Sequence, residues 1–413
     1  MKFKNLNKEK IVCIIFMATL FTFLVGFVFQ AKNMGKAILI EYKDYLQKED
    51  ANVFDYVSAE ISSINNGINE SVLGKYSLIE INGGIQKLLN KKVVNDVDPS
   101  MAVIKMNNDQ LTFVYPKFDS TNYANNIIKL NEFLNEKDVP FLYVQAPFKV
   151  SKYDNQLPSG IEDYSNENAD EFLDIIGQAG VDYLDLREEE VKDNLDHYSL
   201  FFRTDHHWKP ETGLWASSKI AEKIEEKYKF EYDKKCFDID NYNKVEYNDI
   251  FLGSKGKRVG KIYSGKLDGI NLLYPKFDTN MAFIAESAGI ERKGNFYDTI
   301  FERQYVEDKK LSKDYFNNDP YCLYTGVDRR IETIINYDSL NNKKILVVKD
   351  SFGRVSIPFL SLAYHEVESL DLRKFTDETL KKYLEDNNFD LVIVQYTAEV
   401  YREDKKELFD FGF

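Results

Sequence analysis

The sequence predicts an α/β protein built on a parallel β-sheet that is covered by helices on both faces. Short uncharged runs, which are typical of buried strands, alternate with longer segments whose apolar residues recur at helical spacing. This alternation covers residues 122–228 and resumes at residue 344, after a stretch that lacks it. A regular succession of helices and buried strands is the pattern of a parallel sheet with both faces covered.

The first block of this pattern contains two predicted strands and three predicted helices. In chain order these are a helix over 122–135, a strand over 139–145, a helix around 168–179, a strand over 181–186 and a helix after residue 209. Pro210 suits the first turn of the last helix, because a backbone N–H would have no partner there. Asp205 and His207 therefore lie on a loop just before a helix, where one turn can aim both side chains at one point.

The second block supplies three further strands. In chain order its elements are a strand over 344–348, a helix over 352–363, a short strand over 367–370, a helix over 377–385 and a strand over 391–395. Ser351 follows the first of these strands. Ligands bind such sheets at the carboxyl ends of the strands, so we expect Ser351 to lie in a site.

Two other regions do not follow the alternation. Residues 228–340 are rich in Tyr, Asp, Asn and Lys and contain short extended runs. We expect an inserted segment of mixed α/β character there, which shapes the substrate cleft. A single strand is also predicted over 111–115, ahead of the first block.

The N-terminal region predicts a membrane anchor. An uncharged stretch over residues 11–30 is long enough to cross a bilayer, which needs about 20 apolar residues. The lysines of residues 1–10 favour a cytoplasmic tail by the positive-inside rule. We expect an uncleaved signal anchor at the cell membrane, followed by a helical juxtamembrane region over 31–110 and an extracellular domain over 111–413. A removed signal peptide is the alternative.

The composition excludes several protein classes. With 44% hydrophobic and 14% aromatic residues the chain is globular rather than disordered. A net charge of −14 argues against nucleic acid as a partner, because phosphate binding needs a basic surface. Three cysteines exclude a disulfide scaffold. Cys13 lies in the predicted span, and the sequence leaves open whether Cys236 and Cys322 pair.

Two separated segments supply the parts of a nucleophilic serine site. Asp205 and His207 belong to a Thr-Asp-His-His-Trp segment in a chain that has only four histidines. Ser351 supplies a hydroxyl. A hydroxyl, an imidazole that takes its proton and a carboxylate that orients the imidazole are the components of such a site. Each segment alone is also explained as a helix cap or a turn.

These segments resemble a known superfamily. Asp350–Gly353 is similar to the nucleophile block of the SGNH hydrolases. An Asp-x-His-Trp block that precedes the serine resembles the alginate O-acetyltransferase-like branch, and Thr204–Trp208 resembles the bacterial DHHW-type proteins of that branch. Ala146–Lys149 is similar to the Pro-x-Lys segment of the family. The resemblance covers about residues 139–400 and implies a flavodoxin-like, SGNH-type sheet.

The resemblance assigns roles to individual residues. Ser351 would be the nucleophile, His207 the general base and Asp205 the carboxylate that orients it. Four side chains near these positions are candidates for substrate contacts: Trp208, His206, Arg354 and Lys149. Trp208 is equally explained by core packing, His206 as an exposed turn residue and Arg354 as a surface ion pair.

The resemblance leaves the oxyanion donors incomplete. The backbone N–H of Ser351 is one candidate donor, and Gly326 is another that is equally explained as a turn glycine. Lys349 stands where the family has glycine, and the Gly and Asn segments that complete the family's oxyanion hole have no clear match. A missing donor weakens transition-state stabilisation by on the order of 3 kcal/mol.

The resemblance implies a serine acyl-transfer enzyme without a metal or cofactor. It would O-acetylate, or deacetylate, a cell-surface or cell-wall polysaccharide, with acyl groups supplied by a membrane-bound O-acyltransferase. A non-catalytic glycan-binding or scaffold protein of the same fold is one alternative. Because Asp205-His206-His207 also resembles the DHH phosphoesterase signature, a metallophosphoesterase is another. That chemistry needs further ligands, and only His197 and His365 remain.

Overall fold

The structure, a computed structural model, describes residues 8–18, 20–21, 25, 74–95 and 101–413. The chain divides into two compact units, Met1–Ile85 and Gln86–Phe413. Residues 8–18 of the first unit are helical. The predicted anchor over 11–30 lies partly outside the described residues. Within the described part of the chain, no helix combines the length and the apolar character that a membrane crossing needs.

Most of the described chain consists of short strands and helices. The strands are β1 (Val93–Val94), β2 (Val103–Lys105), β3 (Leu111–Thr112), β4 (Phe141–Ala146), β5 (Tyr183–Asp185), β6 (Tyr242–Phe251), β7 (Asp268–Pro275), β8 (Met281–Ala285), β9 (Ile290–Gly294), β10 (Ile331–Asn336), β11 (Lys344–Lys349), β12 (Glu366–Leu370) and β13 (Leu391–Thr397). The helices from residue 75 onward are α1 (Lys75–Leu88), α2 (Thr121–Asn135), α3 (Ser165–Gln178), α4 (Leu186–Lys192), α5 (Pro210–Tyr228), α6 (Ser254–Ser264), α7 (Phe296–Ile300), α8 (Gln304–Glu307), α9 (Gly353–Leu360) and α10 (Leu380–Asp386).

The main sheet has eight strands in the order β5-β4-β13-β11-β12-β10-β8-β9. The first five strands run parallel to one another, and β11 lies between β13 and β12. All five were expected from the sequence, and the predicted α/β class is confirmed.

The parallel strands are buried on both faces. Along β11, Ile345 and Val347 belong to one apolar cluster, while Leu346 and Val348 belong to a second cluster. Successive side chains of a strand point to opposite faces, so each cluster fills one side of the sheet. This explains why the strands appear in the sequence as continuous apolar runs rather than as alternating patterns.

The segment over 228–340 has the mixed α/β character that was expected of it, and part of it joins the main sheet. Its strands β8, β9 and β10 extend the main sheet in antiparallel pairing. Strand β10 alternates buried and half-buried residues, which is the pattern of antiparallel strands covered on one face. The remaining strands, β6 and β7, are joined through helix α6 and form a separate two-stranded antiparallel sheet.

The region ahead of the alternating pattern is partly helical and partly extended. Within the predicted helical region over 31–110, the described residues form α1 and then strands β1 and β2. The strand predicted over 111–115 is present only as β3, which pairs with β2 in a small three-stranded antiparallel sheet.

Candidate active site

Ser351 lies just beyond the carboxyl end of β11, in the turn that leads into helix α9. The buried carboxylate of Asp350 fixes this turn. It accepts hydrogen bonds from the backbone N–H and the hydroxyl of Thr397 at 2.8 and 3.0 Å, and from the N–H of Phe352 at 2.9 Å. Burial raises the pKa of Asp350 to about 6. The turn therefore places the Ser351 hydroxyl at the edge of the sheet where α/β proteins bind ligands.

Lys349, which stands where the related family has glycine, is accommodated by a buried ion pair. The Lys349 ammonium contacts the carboxylate of Asp328, and both side chains are almost inaccessible to water. Gly353 makes room for the lysine stem, because a Cβ atom there would lie only 2.8 Å from the Cβ atom of Lys349. A lysine before the serine block is thus compatible with the turn that carries Ser351.

The loop of residues 202–207, here called the histidine loop, carries the imidazole and its carboxylate. His207 Nδ1 lies 2.6 Å from Asp205 Oδ1, and the His207 backbone N–H donates to the same oxygen at 2.9 Å. The second oxygen, Oδ2, accepts from the backbone N–H of Ser254 at 2.5 Å. Burial alone would raise the pKa of Asp205, but the neighbouring imidazoles and these hydrogen bonds hold it well below its usual value. Asp205 is therefore an ionised acceptor.

The imidazole connects this carboxylate to the serine. His207 Nε2 lies 2.7 Å from Ser351 Oγ. Because an ionised Asp205 only accepts hydrogen bonds, Nδ1 carries the ring proton and Nε2 accepts the Ser351 hydroxyl. All three side chains are buried or nearly so, with Ser351 8% and His207 7% exposed. The arrangement can remove a proton from the hydroxyl as it attacks an electrophile.

Aromatic rings fix the plane of the imidazole. Tyr321 stacks on His207 with ring centroids 3.9 Å apart and an interplanar angle of 12°, and His206 lies on the ring at 3.8 Å. Phe352 packs at 5.3 Å. The contact with Tyr321 was not expected, because this residue comes from the segment that the sequence analysis treated as an insertion.

The backbone of Gly253 lies very close to Asp205 and supports it. A Cβ atom at Gly253 would lie 2.3 Å from the Asp205 Cβ atom and 2.5 Å from its Cα atom. Only glycine allows this distance, and it brings the next residue, Ser254, into hydrogen-bonding range of the carboxylate. Neither residue stood out in the sequence, because no local motif marks a contact between segments so far apart in the chain.

Two predicted substrate contacts are wrong. Trp208 is fully buried, and its indole N–H donates to the Phe352 carbonyl at 3.1 Å, so it cannot present a face to a sugar. Lys149 is also fully buried. Its ammonium donates to backbone carbonyls of the histidine loop, including those of Arg203 at 2.9 Å and Asp205 at 2.5 Å. Both side chains were predicted to contact the substrate. They lie inside the protein instead and support the site from there.

His206 lies at the site and keeps a partly exposed side chain. Its Nδ1 lies 2.9 Å from the Ser254 hydroxyl, and its Nε2 lies 3.8 Å from a carboxylate oxygen of Glu399, which follows β13. Burial lowers the pKa of His206 to about 3, so this imidazole is neutral. A substrate contact by His206 stays a prediction.

Arg354 was expected to face the cleft or to form a surface ion pair. Its guanidinium instead forms a bidentate, largely buried pair with Asp328, at 3.1 and 2.8 Å. The ion pair occupies the face of the guanidinium that would bind an anionic substrate.

The backbone supplies one candidate oxyanion donor. Among the described residues, the N–H of Ser351 donates to no protein acceptor. Gly326 adopts a left-handed φ of 89°, and its close neighbours are Arg329 and Glu302. These contacts favour the explanation of Gly326 as a turn residue, whereas the N–H of Ser351 stays a candidate oxyanion donor.

The histidine loop also has the elements of a metal site. Ligand atoms of Asp205, His206 and His207 lie within 4.8 Å of one another. However, His207 uses Nδ1 for Asp205 and Nε2 for Ser351, so a metal ion would have to displace one of these hydrogen bonds. The part of the chain that the structure describes holds no second such cluster. The donor set therefore fits a two-metal phosphoesterase poorly.

The two cysteines outside the N-terminal region are not paired. Cys236 and Cys322 are both buried free thiols.

Comparison with known protein families matches part of this chain. A family model described as the SGNH hydrolase-like domain of the acetyltransferase AlgX matches residues 112–247, which include Asp205 and His207. No curated protein sequence matches the chain.

Solved structures share the fold. Bacillus cereus PatB1 superposes with a TM-score of 0.59 at 22% identity, over 77% of this chain and 99% of that one. A DHHW family protein from Eubacterium siraeum gives a TM-score of 0.57 at 19% identity, over 77% and 98% of the two chains. The predicted resemblance is confirmed: residues 112–247 are similar to the SGNH hydrolase-like domain of AlgX, and the described chain shares the fold of PatB1 and of the DHHW family protein.

Proposed function

We propose that this chain is a serine-dependent O-acetyltransferase, or the corresponding acetylesterase, that acts on a polysaccharide through an acyl-serine intermediate. The observation that carries the proposal is the continuous hydrogen-bonded chain from Asp205 through His207 to Ser351, at 2.6 and 2.7 Å. The match to an acetyltransferase family supports acetyl as the group that is transferred.

The geometry supports a two-step reaction. His207 Nε2 takes the hydroxyl proton while Ser351 Oγ attacks the acyl carbonyl, and Asp205 stabilises the imidazolium that forms. His207 then gives the proton to the leaving group, and the acyl group stays on Ser351. In the second step His207 takes a proton from a sugar hydroxyl or from water, and the oxygen of that group attacks the acyl-serine. The bond between the acyl group and Ser351 Oγ then breaks, and His207 returns the proton to Oγ. The free N–H of Ser351 can stabilise the oxyanion in both steps.

The proposal includes a cellular location. We propose that residues 11–30 anchor the protein in the cell membrane with residues 1–10 in the cytoplasm and the domain outside. The uncharged stretch and the lysines ahead of it support this. A membrane-bound O-acyltransferase would then supply acyl groups from the other face. Extraction of cell membranes with alkaline carbonate tests the anchor: the protein should stay in the pellet, and its release would contradict the proposal.

The function is tested by ester hydrolysis with the full-length chain in detergent. Release of p-nitrophenol from p-nitrophenyl acetate should resist EDTA and should be abolished by Ser351→Ala and by His207→Ala. Ser199→Ala, which changes an exposed serine, should keep the wild-type rate.

Other outcomes separate the alternatives. Equal rates in the wild type and in the two site variants would overturn the serine mechanism and favour a non-catalytic glycan-binding role. Loss of activity in EDTA with full activity of Ser351→Ala would favour metal chemistry. Where the serine mechanism holds, transfer of acetyl groups to candidate polysaccharides separates the transferase from the esterase.

A further inference from the structure

The histidine loop is bonded to two charged side chains of opposite sign, one buried and one half-buried. The first is the ammonium of Lys149, three residues after the end of β4. The second is the carboxylate of Asp268, the first residue of β7. Neither side chain contacts the Ser351 hydroxyl or the His207 ring, yet each makes several bonds to the backbone that carries them.

The Lys149 ammonium donates hydrogen bonds to carbonyl groups of the histidine loop. Lys149 Nζ donates to the carbonyls of Phe202, Arg203 and Asp205, the last two at 2.9 and 2.5 Å. An ammonium has three protons, so all of its donors are used on this one loop. Burial lowers the pKa of Lys149 to about 7, against the effect of the nearby Asp268 and Asp205 carboxylates.

The Asp268 carboxylate accepts hydrogen bonds from N–H groups of the same loop. Asp268 Oδ1 accepts from the Arg203 N–H at 3.0 Å, and Oδ2 accepts from the Thr204 N–H at 2.8 Å and the Thr204 hydroxyl at 2.6 Å. The adjacent residue is Asp205, so the anion fixes the backbone next to the carboxylate that orients His207.

We propose that Lys149 and Asp268 are positioning residues for the reaction, a cation and an anion that together hold the backbone of the histidine loop. The inference rests on the proposed serine mechanism. It assigns to Lys149 a role different from the substrate contact that the sequence predicted. It also gives Asp268, a residue outside every motif of the chain, a defined effect on the alignment of Asp205 and His207.

The expected effect is on turnover rather than on substrate binding. A displacement of about 1 Å at a catalytic group can slow a reaction about 100-fold. Lys149→Met and Asp268→Asn should therefore each lower kcat for p-nitrophenyl acetate about 100-fold and leave KM within about twofold. Because both variants relax the same loop, the double variant should lose less than the product of the two single losses.

The reactivity of Ser351 separates positioning from a purely structural role. Phenylmethanesulfonyl fluoride reacts with an activated serine hydroxyl, and mass spectrometry gives the rate of labelling at Ser351 per folded molecule. Both variants should label about 100-fold more slowly than the wild type, in proportion to their kcat. Lys276→Met is the control, since it removes an ammonium that bonds a single carbonyl, of Asp240, on the surface. It should label at the wild-type rate.

Each outcome has a distinct meaning. A wild-type chain that neither turns over ester nor labels at Ser351 would overturn the proposed function and with it this inference. An active wild type whose Lys149→Met and Asp268→Asn variants label normally, even with a lower melting temperature, would overturn the positioning role alone. If Lys149→Met does not fold, Asp268→Asn decides by itself, because asparagine keeps the shape of the side chain.

Discussion

Two buried carboxylate–imidazole pairs lie in neighbouring parts of this molecule, and only one of them is joined to a nucleophile. His207 Nδ1 lies 2.6 Å from Asp205, and His197 Nδ1 lies 2.7 Å from Glu190. The imidazoles are similarly buried, at 7% and 9% exposure. By carboxylate distance and burial the pairs are nearly equivalent.

The difference lies at the other ring nitrogen. His207 Nε2 meets the hydroxyl of Ser351 at 2.7 Å, whereas His197 Nε2 meets the backbone carbonyl of Lys149 at 3.3 Å. A carbonyl only accepts hydrogen bonds and has no proton to give, so the Nε2 atom of His197 faces no group that it could deprotonate. The comparison teaches that the third partner, a hydroxyl for His207 and a carbonyl for His197, is what distinguishes two otherwise similar carboxylate–histidine pairs.

The largest expected effect separates the two histidines by activity. His207→Ala should lower kcat for p-nitrophenyl acetate by about 10⁴-fold or more, because the base is lost. His197→Ala should lower kcat by less than about tenfold, but should reduce the free energy of unfolding by about 2 kcal/mol, because Glu190 is left without its partner. Initial rates and urea unfolding measure the two quantities. Equal losses of kcat in His207→Ala and His197→Ala would show that the two histidines do not differ in their role in the reaction.

The carboxylates extend the comparison. Asp205→Asn should lower kcat about 10⁴-fold, because an amide no longer fixes the tautomer of His207. Glu190→Gln should stay within about tenfold of wild-type kcat, since the amide oxygen can still accept from His197. A single-turnover measurement of Ser351 acylation shows whether the loss arises in the first chemical step. If Asp205→Asn keeps the wild-type kcat, the Asp205–His207 pair does not act as the base.

The backbone behind Asp205 gives a smaller effect. Gly253→Ala puts a methyl group 2.3 Å from the Asp205 Cβ atom, so the histidine loop must move and kcat should fall about 100-fold. Gly160→Ala is the matched control. Gly160 has a left-handed φ of 81° and no atom within 4 Å of the added methyl, so alanine there should cost about 1 kcal/mol of stability and leave kcat unchanged.

The smallest expected effect concerns the carboxylate of the serine turn. Burial raises the pKa of Asp350 to about 6 in the folded state, above the value of about 3.9 in an unfolded chain. A raised folded pKa contributes stability below pH 4 that is lost as pH rises through 6. Asp350→Asn should therefore remove about 2 kcal/mol of the wild-type pH dependence between pH 4 and 6, measured by urea unfolding. An unchanged slope would show that Asp350 is ionised throughout.

Much of the site follows from sequence because its parts lie in short motifs at element ends. Ser351 comes directly after a continuous apolar strand, and Asp205 and His207 stand just before a proline that begins a helix. Such local signals depend only on the residues themselves and predict where the side chains emerge from the fold. The five parallel strands were predictable for the same reason, since burial on both faces makes each strand a continuous apolar run.

The supporting residues could not be predicted in this way. Tyr321, Gly253 and Asp268 act through contacts with segments 48 or more positions away in the chain (253 − 205 = 48 for Gly253 and Asp205), and nothing in their own neighbourhood marks them. Trp208 was misjudged because an indole at a helix start has the same local pattern whether it faces solvent or the core. Tertiary packing decides such cases, and only the fold shows it.

The order of the parts along the chain has a consequence for synthesis. The histidine loop is made first, and Ser351 follows His207 by 144 positions. The strand that presents Ser351 lies between β12 and β13, both of which are translated after it. Asp350 also needs Thr397 to fix the serine turn. A nascent chain that ends before residue 397 thus holds the proposed base without an oriented serine hydroxyl, so the site is completed only once β13 has been added.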